Sequence, residues 1–146
     1  MEADEKMKGR VYMDDVMEDI SVLKTVSVLY VEDEYLVRES IARFLKRRCK
    51  AVYEAENGKA GLELYNRHDV DIVITDLEMP VMNGFEMVKR ILKTDGTPPI
   101  IITTGYNDDE HLVKEACERM IKPIDEDKLI RAILFCLGKN CNECTM

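Results

Sequence analysis

The chain has 146 residues, 46 % of them hydrophobic, which is enough for one buried core and too apolar for a chain disordered throughout. Its 21 basic and 29 acidic residues leave a formal net charge of −8, which disfavours a protein that grips nucleic acid or an anionic membrane by bulk charge. No apolar run reaches the roughly 18 residues of a membrane span, and residues 1–6 are acidic where a secretory signal would be apolar.

Residues 1–20 hold seven acids against three bases and place Met13, Met17 and Ile20 at roughly helical spacing. Residues 1–23 are read as an N-terminal extension: a loosely held leader, or a short helix that docks on a partner or on the domain itself. Residues 26–31 are β-branched and apolar with no polar face, which predicts a strand buried on both sides. Residues 35–48 place Val37, Ile41, Phe44 and Leu45 on one stripe and end in Lys46, Arg47 and Arg48, where cations suit a helix C-terminus. Residues 51–55 read as a weak strand and 58–66 as a helix carrying Leu62 and Tyr65.

Residues 70–75 form the second strong strand pattern and run straight into Asp76. Residues 79–84 are turn chemistry, 85–93 a helix with Phe85, Val88 and Leu92 facing in, and 97–99 a Pro-rich loop. A third buried strand follows at 100–103, then a polar helix at 107–118 capped by Asn107 or Asp108. A very short strand at 119–122 leads to a last helix at 125–137, with Asp125 as its N-cap and Gly138 as its stop. Strands and helices thus alternate five times with short loops. That order argues for an α/β fold built on an open parallel sheet with helices on both faces. The domain is expected over residues 24–139, followed by a tail at 140–146.

Five cysteines (Cys49, Cys117, Cys136, Cys141 and Cys144) at irregular spacing, without a secretory leader, read as reduced thiols in a cytoplasmic protein. Cys141 and Cys144 have the C-x-x-C form, but no second pair accompanies them and they are read as incidental to the tail.

In an open parallel sheet the active crevice lies beyond the carboxyl ends of the strands. Here the first strand ends in Glu32, Asp33 and Glu34, the third in Asp76, and the fourth in Thr103, Thr104 and Gly105, while Lys122 and Pro123 precede the last helix. Carboxylates gathered in one place repel, and a divalent cation relieves them. A few hard oxygen ligands with room for water suit Mg²⁺, and with two histidines and no cysteine nearby a zinc site is disfavoured. Mg²⁺, a carboxylate, a hydroxyl and a lysine are a kit for handling phosphoryl groups. Taken one at a time, these acids are helix caps and the lysine is solvated; four strand ends with complementary chemistry favour the functional reading.

Four segments, Val28-Leu-Tyr-Val-Glu-Asp-Glu34, Asp71-Ile-Val-Ile-Thr-Asp-Leu-Glu-Met-Pro-Val-Met-Asn-Gly84, Pro99-Ile-Ile-Ile-Thr-Thr-Gly105 and Ile121-Lys-Pro123, resemble the receiver domain of two-component response regulators. The resemblance spans residues 24–139 and implies a flavodoxin-like, doubly wound (βα)5 fold with a five-stranded parallel sheet. It implies that Asp76 is the phospho-acceptor for a sensor histidine kinase or histidine phosphotransfer protein. It gives Mg²⁺ to Glu32, Asp33, Asp76 and the backbone carbonyl of Glu78. Thr104 becomes the switch hydroxyl and Lys122 the phosphoryl ion pair, with the Leu77 and Gly105 N–H groups donating to phosphoryl oxygens. The Lys122–Pro123 bond is often cis in this family. Such a protein is a switch rather than an enzyme.

Two features depart from the pattern. Arg119 stands where the family often has an aromatic residue, and the stretch from Thr104 to Lys122 is about one helical turn short. The surface beside the fourth helix is therefore expected to be unusual, and any homodimer through it altered. Tyr106 and Glu78 occupy positions that tune hydrolysis in the family, and slow dephosphorylation is expected. The residues after Gly138 are too few for an output domain, so the chain is read as a single-domain regulator or a fragment, with its output partner unspecified. Two other readings stand beside the switch. One is a degenerate receiver serving as a phosphorylation-independent scaffold; the other is a haloacid-dehalogenase-like phosphatase, for which Glu78 has the spacing but not the side chain.

Overall fold

The computed structural model describes residues 20–108 and 113–139. Met13 and Met17 of the expected leader helix, and the tail cysteines Cys141 and Cys144, lie outside the described residues. Strands β1 (Ser27–Val31), β2 (Ala51–Ala55), β3 (Ile72–Asp76), β4 (Ile100–Thr104) and β5 (Glu118–Ile121) form one parallel sheet in the order β2-β1-β3-β4-β5. The order reverses between β1 and β3, so a crevice opens where their carboxyl ends diverge. β1, β3 and β4 are buried at every position, as their continuous apolar runs require between two layers of helix.

Helices α1 (Tyr35–Lys46), α2 (Gly58–Arg67), α3 (Gly84–Leu92) and α4 (Glu126–Leu134) cover the sheet. Alternation along the strands sends Val28, Tyr30, Ile72, Ile74 and Ile101 to one face, where Ile41 and Leu45 of α1 and Leu129 and Ile133 of α4 close over them. Leu29, Val31, Val73, Ile100 and Ile102 face the other way, against Met87, Val88 and Ile91 of α3. The deep residues of α3 are thus Met87, Val88 and Ile91, with Phe85 and Leu92 only partly buried at its margins. Asn57, Asn83 and Asp125 cap α2, α3 and α4, each accepting a hydrogen bond from the backbone N–H three residues on. A π-helical turn, Phe135–Lys139, continues past α4 and through Gly138, where the sequence predicts a stop.

The sheet also draws in part of the leader. A 3₁₀ turn at Leu23–Thr25 places Leu23 fully inside the first core layer, and the Val26 carbonyl accepts the Lys50 N–H at 2.8 Å.

The polar helix expected at 107–118 is not formed among the described residues. Residues 105–108 and 113–117 are bends and turns, and Glu118 already belongs to β5. Parallel strands need a crossover of about a dozen residues or more, and 105–117 barely supplies that length. Val113 and Ala116 pack against the second core layer where a helix would lie.

The expectation of reduced thiols is likewise corrected. Cys117, at the end of this crossover, is disulfide-bonded to Cys136, just past the end of α4, with Cα atoms 6.0 Å apart. A separation of 19 residues gives no hint of this pairing in one dimension; folding β5 beside α4 creates it. Cys49 is the free cysteine among the described residues.

Candidate functional site

The crevice is built by strands that stop at charged residues. β1 delivers Glu32, whose N–H reaches the Ala55 carbonyl at 3.0 Å and whose side chain is wholly buried. Glu32 Oε2 accepts the Glu34 N–H at 3.1 Å, and the Arg38 guanidinium donates to the Glu32 carbonyl at 2.8 Å. β3 delivers Asp76, only 7 % exposed, whose Oδ1 accepts the Leu77 N–H at 2.8 Å. Gly84 lets α3 start directly against this strand end: a Cβ there would collide with the Asp76 carbonyl oxygen, and the Gly84 N–H bonds the Leu77 carbonyl at 2.8 Å.

Lys122 closes the site from the β5 side. Its Nζ lies 2.9 Å from Asp76 Oδ2 and 2.7 Å from Glu32 Oε1. The contact to Glu32 Oε1 is an ion pair without an aligned hydrogen bond, so this buried oxygen keeps coordination capacity. The Lys122–Pro123 peptide is cis, and the Lys122 N–H donates to the Thr104 carbonyl at 2.7 Å.

Burial pushes the Glu32 carboxyl above the ordinary carboxylate range, with Lys122 and the Glu34 N–H opposing the shift. Burial alone would lower the Lys122 ammonium; the negative charges of Glu32 and Asp76 and the hydrogen bond to Asp76 outweigh it, and the net shift is upward. One ammonium thus holds two carboxylates together.

The structure brings most of the expected residues to one place. Glu32, Asp33 and Asp76 each offer an oxygen within 4.8 Å of the others. Hard, closely spaced carboxylate oxygens, one of them buried without an aligned donor, fit a small divalent cation of the Mg²⁺ type. Thr104 ends β4 beside this cluster, its neighbour Thr103 being in register with Asp76, and Thr104 Oγ1 accepts the Tyr106 N–H at 3.1 Å. Leu77 is buried behind Asp76, while Glu78 and Gly105 are exposed at the crevice rim.

Three residues have surroundings that the sequence does not signal. Arg38, from the first turn of α1, anchors the Glu32 backbone. Tyr30 lies fully buried in β1, with no hydrogen-bond partner for its hydroxyl among the described residues, and burial raises its pKa far above the usual phenol range. Arg119 reaches the loop after β4, donating to the Asp108 carbonyl at 2.7 Å and to Asn107 Oδ1 at 3.0 Å. None of these contacts has a motif; all depend on tertiary placement.

An α/β sheet with this strand order and an acidic, lysine-closed crevice defines a class of fold, and comparison with known proteins gives the family. The model of the response regulator receiver domain matches residues 28–134. The chain belongs to that family. It is 41 % identical over 93 residues to the transcriptional regulatory protein YdfI of Bacillus subtilis (strain 168), covering 62 % of this chain and 43 % of the relative. It is 33 % identical over 110 residues to the cell cycle response regulator CtrA of Brucella ovis, covering 73 % of this chain and 47 % of the relative. The match thus spans less than half the length of these curated relatives. Among solved structures, the receiver domain of the hybrid histidine kinase CckA aligns with a TM-score of 0.66 at 30 % identity, over 77 % of this chain and 99 % of that one. A CheY-like receiver protein of Methanospirillum hungatei JF-1 aligns with a TM-score of 0.74 over 82 % and 98 %, at 23 % identity, a likeness of fold alone.

Proposed function

We propose that Asp76 accepts a phosphoryl group from a phosphohistidine donor, a sensor histidine kinase or a histidine phosphotransfer protein, and that the acyl phosphate switches the segment between Thr104 and Lys122. The observation that carries this reading is the Lys122 ammonium set between Glu32 and Asp76 with Asp33 close by. Carboxylates held this close at a strand end are poised for an incoming group whose negative oxygens need cations.

In the transfer, a carboxylate oxygen of Asp76 bonds to phosphorus while the P–N bond to the donor imidazole breaks, and the released ring nitrogen takes its proton from solvent. Glu32, Asp33, Asp76 and the Glu78 carbonyl would hold Mg²⁺, which when bound neutralises phosphoryl charge. Lys122 stays within ion-pair reach of Asp76 and neutralises the charge that the new group brings, about −1.5 to −2 at neutral pH. The Leu77 and Gly105 N–H groups and the Thr104 hydroxyl are the donors assigned to the oxygens of that group. An apolar groove of about 590 Å³, lined by Leu36, Val37, Ile41 and Ile124, opens beside Lys122 and gives the donor protein a surface to rest on. The protein is a switch, and its output is read by a partner or by an output domain.

Incubation with acetyl phosphate and Mg²⁺ tests the reading on one phosphate-affinity gel. The expected result is a shifted band for the native chain, lost with EDTA and absent in Asp76→Asn. An Asp76→Asn protein that shifts as much as the native chain would refute the assignment. In the same assay the band is expected to persist for minutes or longer in excess Mg²⁺, with half-exposed Tyr106 and Glu78 standing at the rim. The short β4–β5 crossover points to a homodimer interface altered on that side. The alternative of a phosphorylation-independent scaffold predicts no shifted band at all.

A further inference from the structure

We infer that Tyr30 and Thr103 are positioning residues for the phosphorylated state, their hydroxyls held ready to donate to Glu32 and Asp76 when the Lys122 ammonium turns toward the phosphoryl group. The inference rests on the proposed phosphoryl transfer to Asp76 and adds what steadies the site once it is charged.

Alternation along the strands puts both hydroxyls on the face that carries the crevice. Tyr30, Ile74, Ile101 and Met120 all belong to the first core layer. Two residues further along the same strands and their ends come Glu32, Asp76, Thr103 and Lys122, which therefore continue that face toward the site. Strand pairing sets Thr103 directly beside Asp76 on one side and Met120 on the other. Tyr30 and Thr103 are wholly buried, and neither hydroxyl has a partner among the described residues. Burial raises the Tyr30 pKa first, and the charges of Glu32 and Asp76 raise it further, so the phenol lies within the field of both carboxylates.

Buried hydroxyls are nearly always paired, and an orphan is destabilising. Two orphans on one face, both beside a carboxylate cluster, fit donors that the cluster recruits when its charge changes. In the unphosphorylated chain one ammonium serves both acids: Lys122 Nζ lies 2.7 Å from Glu32 Oε1 and 2.9 Å from Asp76 Oδ2. A phosphoryl group sets about −1.5 to −2 further charges against that single positive one. The ammonium is drawn away from Glu32 Oε1, a buried oxygen with no aligned donor of its own. A hydroxyl proton turns freely about its C–O bond, and a bond to an ionised acceptor is stronger than one to a neutral acceptor. Tyr30 is the donor assigned to Glu32, and Thr103 the donor assigned to Asp76.

The test uses the full chain and beryllium fluoride with Mg²⁺, a probe that mounts on a carboxylate in place of a phosphoryl group. Melting temperature is read without the probe, and affinity from its rise with probe concentration. Tyr30→Phe is expected to melt higher than the native chain when unliganded, yet to bind the probe about tenfold more weakly, as the loss of a bond to a charged group implies. Thr103→Val is expected to lose affinity in the same way. Ile101→Val, an apolar trim in the same layer, is expected to melt lower with its affinity unchanged. Native affinity in either hydroxyl variant would overturn the proposal, as would an equal loss in Ile101→Val. A Tyr30→Phe chain that melts lower when unliganded would mark the hydroxyl as an ordinary stabilising contact and overturn it equally. The acetyl phosphate gel keeps the two readings apart. A native chain that labels, with variants that bind the probe normally, sinks this inference alone; a native chain that neither labels nor binds sinks the phosphoryl reading with it.

Discussion

Tyr30 shows what a single atom can mean in this sheet. Its ring completes the first core layer, but its hydroxyl is buried with no partner among the described residues. An unpaired buried hydroxyl is destabilising, and removing it while keeping the ring is favourable. Tyr30→Phe is therefore expected to stabilise the chain by about 1 kcal/mol in urea unfolding. Cys49 makes the second case. Its pKa is raised to about 11 by burial, so between the ordinary thiol value and 11 the unfolded chain loses a proton that the folded chain keeps. Stability from this group is full below the ordinary value and is lost as pH rises toward 11, so alkylation of Cys49 by iodoacetamide should stay slow at pH 8 and accelerate above pH 10. At this scale the charged residues at the strand ends were legible, because a buried strand that stops at an acid is a pattern in one dimension. The Tyr30 hydroxyl and the Arg38 contact were not, since nothing in their neighbours along the chain records what they face.

The β4–β5 crossover is where the elements depart most from expectation. Residues 107–118 have the polarity of a surface helix, yet 107–108 and 113–117 are bends and turns and Glu118 already belongs to β5. What holds the segment is specific instead: Val113 and Ala116 against the core, Arg119 on Asn107 and Asp108, and Cys117 on Cys136. Arg119 stands where the family often has an aromatic residue that moves with the switch threonine, and it acts as a tie to the loop that follows Thr104. Arg119→Ala should leave the fold intact and loosen that tie by about 1 kcal/mol, which is about a fivefold faster amide exchange over residues 105–108. Strands β1, β3 and β4 were legible from continuous apolar runs, and the helices from their apolar stripes. The bends and turns among the described residues of the crossover were not, because local polarity competes with a length constraint that only the sheet imposes.

On the scale of the molecule, the packed core reaches further toward the N-terminus than the family match. The family match begins at residue 28, yet Leu23 is completely buried and Val26 only 5 % exposed in the same layer as Leu45 and Ile133. Leu23→Ala should lower stability by about 2–5 kcal/mol, read as a drop in melting temperature with the acetyl phosphate reaction retained. Two residues outside the motif-bearing region therefore act as a stopper under the sheet, sealing the ends of the strands opposite the crevice. Trimming the chain to its recognisable part would pull that stopper, let water in against Leu45, and turn a sound domain into one that aggregates for reasons unrelated to its chemistry.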